Sequence, residues 1–175
     1  MRRPVPERRY ETMKAWIAGV GIVLVAVGLL ACGDSSSPTE PTTVTLTAEV
    51  RAALERSIQD EYRAEMTYQG VVEDLGQLAP FVNVLSAEQR HSASLARLFV
   101  SRGLTPPPNS WTLQMVPHFT SIPVACGAAA TAERENVAMY DELLRFTLPV
   151  DVRQVFENNR LASLMNHLPA FERCS

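Results

Sequence analysis

At 175 residues, the chain has room for one domain with a sizeable core. Its formal charge of −3, with no basic patch, gives nucleic acid no electrostatic foothold. No Ser or Cys comes with a recognisable base and orienting acid, which leaves nucleophilic hydrolysis without support.

Residues Ala15 to Ala31 form an apolar run, preceded by basic residues and followed by Gly33-Asp34-Ser35-Ser36-Ser37. The run ends Leu29-Leu30-Ala31-Cys32, which resembles the lipobox of bacterial lipoprotein signal peptides. The resemblance implies cleavage before Cys32, whose thiol would carry diacylglycerol. Residues 1–31 are then a lipoprotein-type signal peptide, with its true start open between Met1 and Met13. A transmembrane anchor over 15–31 is the alternative, at the lower edge of spanning length. Residues 32–46 are rich in Ser, Thr and Pro, lack periodicity and read as a flexible tether. The expected location is the bacterial cell envelope, with a membrane-anchored lipoprotein facing the periplasm or the exterior. Gly33 rather than Asp after Cys32 points toward outer-membrane sorting without deciding it. The membrane is the expected partner; protein partners stay open, a homodimer among them.

Four amphipathic stretches account for most of 47–175, and none alternates with the period of a strand. Helix A is expected over about Ala48 to Leu75, with Thr47 as N-cap and Leu54, Ile58, Ala64, Tyr68 and Val72 inward. Helix B starts near Pro80 and ends at Gly103, with Phe81, Val84, Leu95 and Leu98 inward. Helix C opens around Pro123 and continues to about Phe146, with Ala129, Ala130, Val137, Tyr140 and Leu144 inward. Helix D follows Asp151 as N-cap and turns Val155, Phe156, Leu164 and Phe171 inward.

Short connections make A–B and C–D antiparallel neighbours. The segment from Leu104 to about Ser121, containing Pro106-Pro107-Pro108, is long. Such a connection lets helix C start at the same end as helix A, a single-crossover bundle rather than an up-down-up-down one. Trp111 and His118 within it read as loop packing, with a lid over the bundle end as the alternative. In an oxidising compartment Cys126 and Cys174 are expected to pair, and they lie nearly equidistant from a C–D turn at about Pro149. A bridge there would clamp the hairpin, worth roughly 4 kcal/mol by loop entropy.

Several acids and histidines occupy positions where an apolar residue belongs. Seven residues return a helix to within about 20° of the same direction. Glu61 is flanked at that spacing by Leu54 and Tyr68, and Glu133 by Cys126 and Tyr140, so both point inward. Glu88 is flanked by Phe81 and Leu95, and His91 by Val84 and Leu98. His167 has Leu164 three before it and Phe171 four after. Glu61-x2-Ala64-x3-Tyr68 and Glu133-x2-Asn136-x3-Tyr140 share one pattern, a weak internal repeat of a helical hairpin. Singly, each group has an ordinary explanation: an inward Glu paired with Arg or Tyr, a core histidine, a core tyrosine. Jointly, three acids and two histidines exceed the cationic partners on the inward faces. Arg160, seven before His167, is the exception and could reach a carboxylate. Buried unpaired carboxylates are costly, so the set calls for counter-charges or a metal.

A Glu on one helix, Glu88-Gln89-Arg90-His91 on the next, then Glu133 and His167 resembles the ferritin-like superfamily. Similar runs to Ala125-Cys126, Glu133-x-x-Asn136, Met139-Tyr140-Asp141 and His167-Leu168-Pro169-Ala170-Phe171 occur in a bacterial ferritin-like family of unassigned function, over about Val50 to Cys174. The resemblance implies an all-α, four-helix ferritin-like bundle with one long crossover between helices B and C. It also implies a metal site of Glu61, Glu88, His91, Glu133 and His167, with Tyr68, Tyr140 and Arg160 behind the ligands. A complete di-iron set wants a Glu three before His167, where Leu164 stands. Glu157 cannot replace it, lying about 15 Å along the axis and about 80° around. The donors suit one ion or two, iron or manganese, with zinc compatible. A metal-dependent oxidase or peroxide-consuming activity is one outcome, and its substrate is open. Iron storage in a shell fits a tethered chain poorly. The alternative is a metal-free degenerate bundle, a lipid-anchored binding or structural module.

Overall fold

The computed structural model describes residues 46–175, and every regular element among them is helical. The signal peptide, Cys32 and the tether through residue 45 lie outside the described residues. Among the described residues, no helix is long and apolar enough to cross a membrane.

Local chemistry sets the helix ends. Helix α1 spans Ala48–Leu75, and the Thr47 hydroxyl accepts the Val50 N–H at 3.2 Å, satisfying one of the free amides of the first turn. Helix α2 spans Phe81–Val100. It closes with Leu104 N–H on Phe99 O and Gly103 N–H on Val100 O, a paired C-terminal cap that needs the left-handed φ of +69° at Gly103. Helix α3 spans Ile122–Leu143, with Pro123 in the first turn, where a missing N–H costs nothing. Helix α4 spans Val150–Ala162. Asp151 lies within its first turn rather than capping it, and pairs with Arg102 at 2.8 Å.

The fourth arm does not continue as a regular α-helix. Ser163–His167 form a wide π-type turn, with Leu168 N–H reaching back to Ser163 O, before α5 at Leu168–Glu172. Pro169 is the local cause. It cannot donate to the carbonyl four residues earlier, and its ring crowds that carbonyl, so the helix widens just ahead of it.

The core has two apolar halves. One joins Leu54 and Ile58 near the start of α1, Leu95 and Phe99 near the end of α2, Leu143 at the end of α3, and Val152 and Phe156 at the start of α4. The other joins Tyr68 and Val71 late in α1, Phe81 early in α2, Ala125 and Cys126 early in α3, and Phe171 in α5. These memberships fix the helix directions: α2 and α3 both run opposite to α1 and α4. Helix α3 therefore starts at the end where α1 finishes, not where it begins as the length of the connection suggested. The connection explains the difference because it runs lengthwise beside α1. Gln59 holds Pro108 O at 2.8 Å, and Asp74, about 22 Å further along the helix, accepts Phe119 N–H at 3.0 Å. Trp111 is half-buried, and His118 is exposed and pairs with Asp74. Cys126 and Cys174 form a disulfide that ties the start of α3 to the end of α5.

Candidate metal centre

Between the two apolar halves lies a layer of polar side chains. Glu61, Glu88, Glu133 and His167 are all buried, and His91 nearly so. The structure brings together all five residues expected to bind metal, as two triads that share one carboxylate. Glu61, Glu88 and His91 form the first, and Glu88, Glu133 and His167 the second. In each, one donor atom per residue lies within 4.8 Å of the others. His91 Nδ1 is 2.9 Å from Glu88 Oε2 and 3.4 Å from Glu61 Oε2. His167 Nδ1 is 2.9 Å from Glu88 Oε1 and 3.4 Å from Glu133 Oε2. Each oxygen of Glu88 thus serves a different triad, and the imidazole rings stack with centroids 5.4 Å apart.

The repeated Glu-x6-Tyr pattern has a structural meaning. Tyr68 donates to Glu133 at 2.6 Å, and Tyr140 donates to Glu61 at 2.5 Å. Each tyrosine supports the acid of the other helix. That exchange is available only to antiparallel α1 and α3; in a parallel pair each glutamate would lie level with the other. Burial beside carboxylates pushes both phenols well above 10, so both hydroxyls remain donors.

Glu61 and Glu88 perturb one another in this apolar layer. Burial lifts Glu61 to about 7, helped by the charge on Glu88 and opposed by His91. Burial also lifts Glu88, but the neighbouring His167, His91 and Glu61 outweigh it, and the carboxyl ends below its ordinary value. For the histidines burial favours the neutral ring, yet the glutamates prevail. His91 rises to about 10 through Glu61 and Glu88, and His167 to about 9 through Glu133 and Glu88. Even so, three donor atoms lack partners: Glu61 Oε2, Glu133 Oε2 and His167 Nδ1 are buried without a hydrogen bond. His167 Nδ1 is close to Glu88 but out of line with it. Buried orphans are rare in native folds; one of these lies in the first triad and two in the second, an arrangement that fits a cation held in each.

The wide turn moves two expected positions by one residue. Arg160 does not reach the buried acids; it points outward to Asp141 at 2.6 Å. The extra residue in the turn hands its place to Asn159, which is buried and donates to Tyr140 Oη at 3.1 Å. Leu164 is only partly buried, and Ser163 takes the inward position four residues before His167. Its hydroxyl donates to Asn136 Oδ1 at 2.9 Å, and Asn136 donates to Asp60 Oδ2 at 2.9 Å. Asn159, Ser163 and Asp60 escape a reading by sevens. The signal that would reveal Asn159 and Ser163 is the stripe Val152, Phe156, Asn159, Ser163, His167, Phe171, with Pro169 marking where its step must change.

Two openings approach the layer. A narrow pocket of about 30 Å³, lined by Asp60, Thr67 and Asn136, leads to Glu88 and Glu133. It adjoins a wider bowl of about 370 Å³ that shares Asp60 and Arg63 and is flanked by Trp111. On the other side, a cleft of about 330 Å³ between α2 and the fourth arm reaches His91 and His167.

No protein-family model and no curated protein matches the chain. Two solved structures share its fold. A conserved hypothetical protein, Rv2844 from Mycobacterium tuberculosis, aligns with a TM-score of 0.62 at 16% identity, over 74% of this chain and 98% of that one. Hypothetical protein MJ0754 from Methanococcus jannaschii DSM 2661 aligns with a TM-score of 0.65 at 22% identity, over 79% of this chain and 84% of that one. At these identities the likeness establishes a common helical architecture and nothing of the chemistry.

Proposed function

We propose that this chain is a ferritin-like, envelope-anchored metal-binding protein, carrying one or two divalent ions of iron or manganese, with zinc also compatible. The helix directions and the lengthwise connection support the single-crossover arrangement of that superfamily. The observation that carries the metal reading is the pair of triads sharing Glu88, together with the unpartnered donor atoms in them, one in the first and two in the second. Iron or manganese bound there would supply one-electron redox chemistry toward oxygen or peroxide. The chain's own part is to bind and orient: Glu88 spans both positions, and Tyr68 and Tyr140 hold the outer acids. Asn159 holds Tyr140 in turn. The lipobox-like run ending at Cys32 supports anchoring by lipid.

One observation favours the metal-free alternative. With His91 raised to about 10 and His167 to about 9, two imidazolium ions can neutralise two of the three acids. Elemental analysis of the full chain, purified without chelator, decides between the readings. Stoichiometric metal that disappears in Glu88→Ala and halves in Glu61→Ala is the expected result for two ions sharing Glu88. No metal in the wild-type chain, even after reconstitution, would refute the site.

A further inference from the structure

The acid cluster uses one edge of each histidine. Every contact of His91 and His167 with the three glutamates is through Nδ1. Nε2 therefore lies on the other edge of each ring, and both rings wall the 330 Å³ cleft between α2 and the fourth arm. Small apolar side chains, Ala87, Ala162 and Ala170, line the same cleft, as does Arg90. The Arg90 guanidinium is exposed and directs one N–H to Ser86 Oγ at 2.8 Å.

An imidazole that holds a metal through one nitrogen keeps its proton on the other, and that N–H ordinarily donates to a carboxylate, a carbonyl or water. Here the two rings, stacked 5.4 Å apart with their Nδ1 edges on the glutamates, wall one cavity that Arg90 also lines. A carboxylate has two oxygens to offer to this pair of donors, and the alanine walls suit a short hydrocarbon tail. We propose that the cleft is a binding site for a small organic carboxylate, held by Nε2–H of His91 and His167 and by Arg90. This rests on the metal reading, because ligation at Nδ1 is what leaves each proton on Nε2. An acceptor there makes both imidazoles better ligands, so the carboxylate and the metal strengthen each other's binding reciprocally.

The test uses the full chain with ¹⁵N-labelled histidine, loaded with zinc as a diamagnetic ion, its zinc content measured first. Acetate and butyrate are then titrated while the imidazole ¹⁵N resonances are followed. The Nε2 signals of both histidines should shift together and saturate. Binding should weaken at least ten-fold in Arg90→Ala and vanish in Ala162→Leu, which fills the cleft, with zinc content unchanged in both variants. A zinc-loaded protein without a saturable shift, or one titrating alike in both variants, has water or bulk solvent at these donors. The carboxylate site then falls while the metal centre stands. A chain that takes up no zinc overturns the metal reading and this inference with it.

Discussion

Glu88 is the residue on which both triads depend, and its surroundings show how a carboxylate is kept charged in an apolar layer. Burial alone would protonate it, yet two imidazoles and Glu61 hold its carboxyl below the ordinary value. The energetic consequence falls on the histidines. Their folded values of about 10 for His91 and about 9 for His167 lie above the free value of 6.5. A raised value means that the folded state holds the proton more tightly. The stabilisation is complete below 6.5 and is lost as the pH climbs through 9 to 10. Glu61, raised from 4.5 to about 7, acts in the same sense over its own lower window. Metal-free protein should therefore melt at progressively lower temperature between pH 7 and 10, followed by circular dichroism with chelator present. His91→Gln should flatten part of that decline. Metal must displace the same protons, so its apparent affinity should rise with pH over this window. A melting temperature that does not change between pH 7 and 10 would mean that neither imidazolium stabilises the fold.

The fourth arm carries the lesson at the scale of elements. In a regular helix an inward step of four residues overshoots by about 40°, so a stripe needs occasional steps of three. Between Asn159 and Phe171 the inward steps are all four, and the wide turn at Ser163–His167 absorbs the overshoot. The acid missing three residues before His167 is thus missing from the wrong position: Leu164 is only partly buried, and Ser163 faces Asn136. Leu164→Glu should leave metal content and affinity unchanged, whereas Ser163→Asp should tighten binding, both read by elemental analysis and competition with a chelator. Equal tightening in both variants would show that the arm is regular in solution. The same turn marks the limit of what was legible in the sequence. On α1, α2 and α3 the seven-residue return identified Glu61, Glu88, His91 and Glu133 as inward, because those helices are regular. The extent of α1 and its Thr47 cap were also legible. Past Pro169's influence the return fails by one residue, which is why Arg160 was expected where Asn159 stands. The end at which α3 starts was misjudged for another reason: the length of a connection does not reveal its course, and only its contacts with Gln59 and Asp74 do.

For the whole molecule, the proposed anchor and the proposed metal centre make separate demands. If Cys32 is lipidated, the chain expressed in a bacterium should begin at that residue and carry diacylglycerol by intact mass, and Cys32→Ser should leave the membrane fraction. An unmodified cysteine in a membrane-bound chain would instead favour the anchor over 15–31. The candidate metal centre draws one residue or more from each of the four arms: Glu61 from α1, Glu88 and His91 from α2, Glu133 from α3, and His167 from the wide turn. No local segment contains the site, so an ion would bind only when all four arms are packed, and its binding free energy would be added to that of the fold. At a free concentration of 100 times Kd that is about 2.7 kcal/mol. For a domain of this size it corresponds to a rise in melting temperature of about 5–15 °C. Manganese or iron(II) should produce that rise in the wild-type chain, and chelator should reverse it. Glu88→Ala should abolish the response and also lower the metal-free stability, since it leaves two imidazolium ions without their common partner. A bundle that holds no metal behaves otherwise: its melting temperature ignores both ion and chelator, and Glu88→Gln lowers it equally with and without added ion, because the two imidazolium ions lose their common partner in either case. The part of the Glu88→Gln effect that depends on added ion therefore separates a carboxylate retained for an ion from one retained as a counter-charge to the two imidazolium ions.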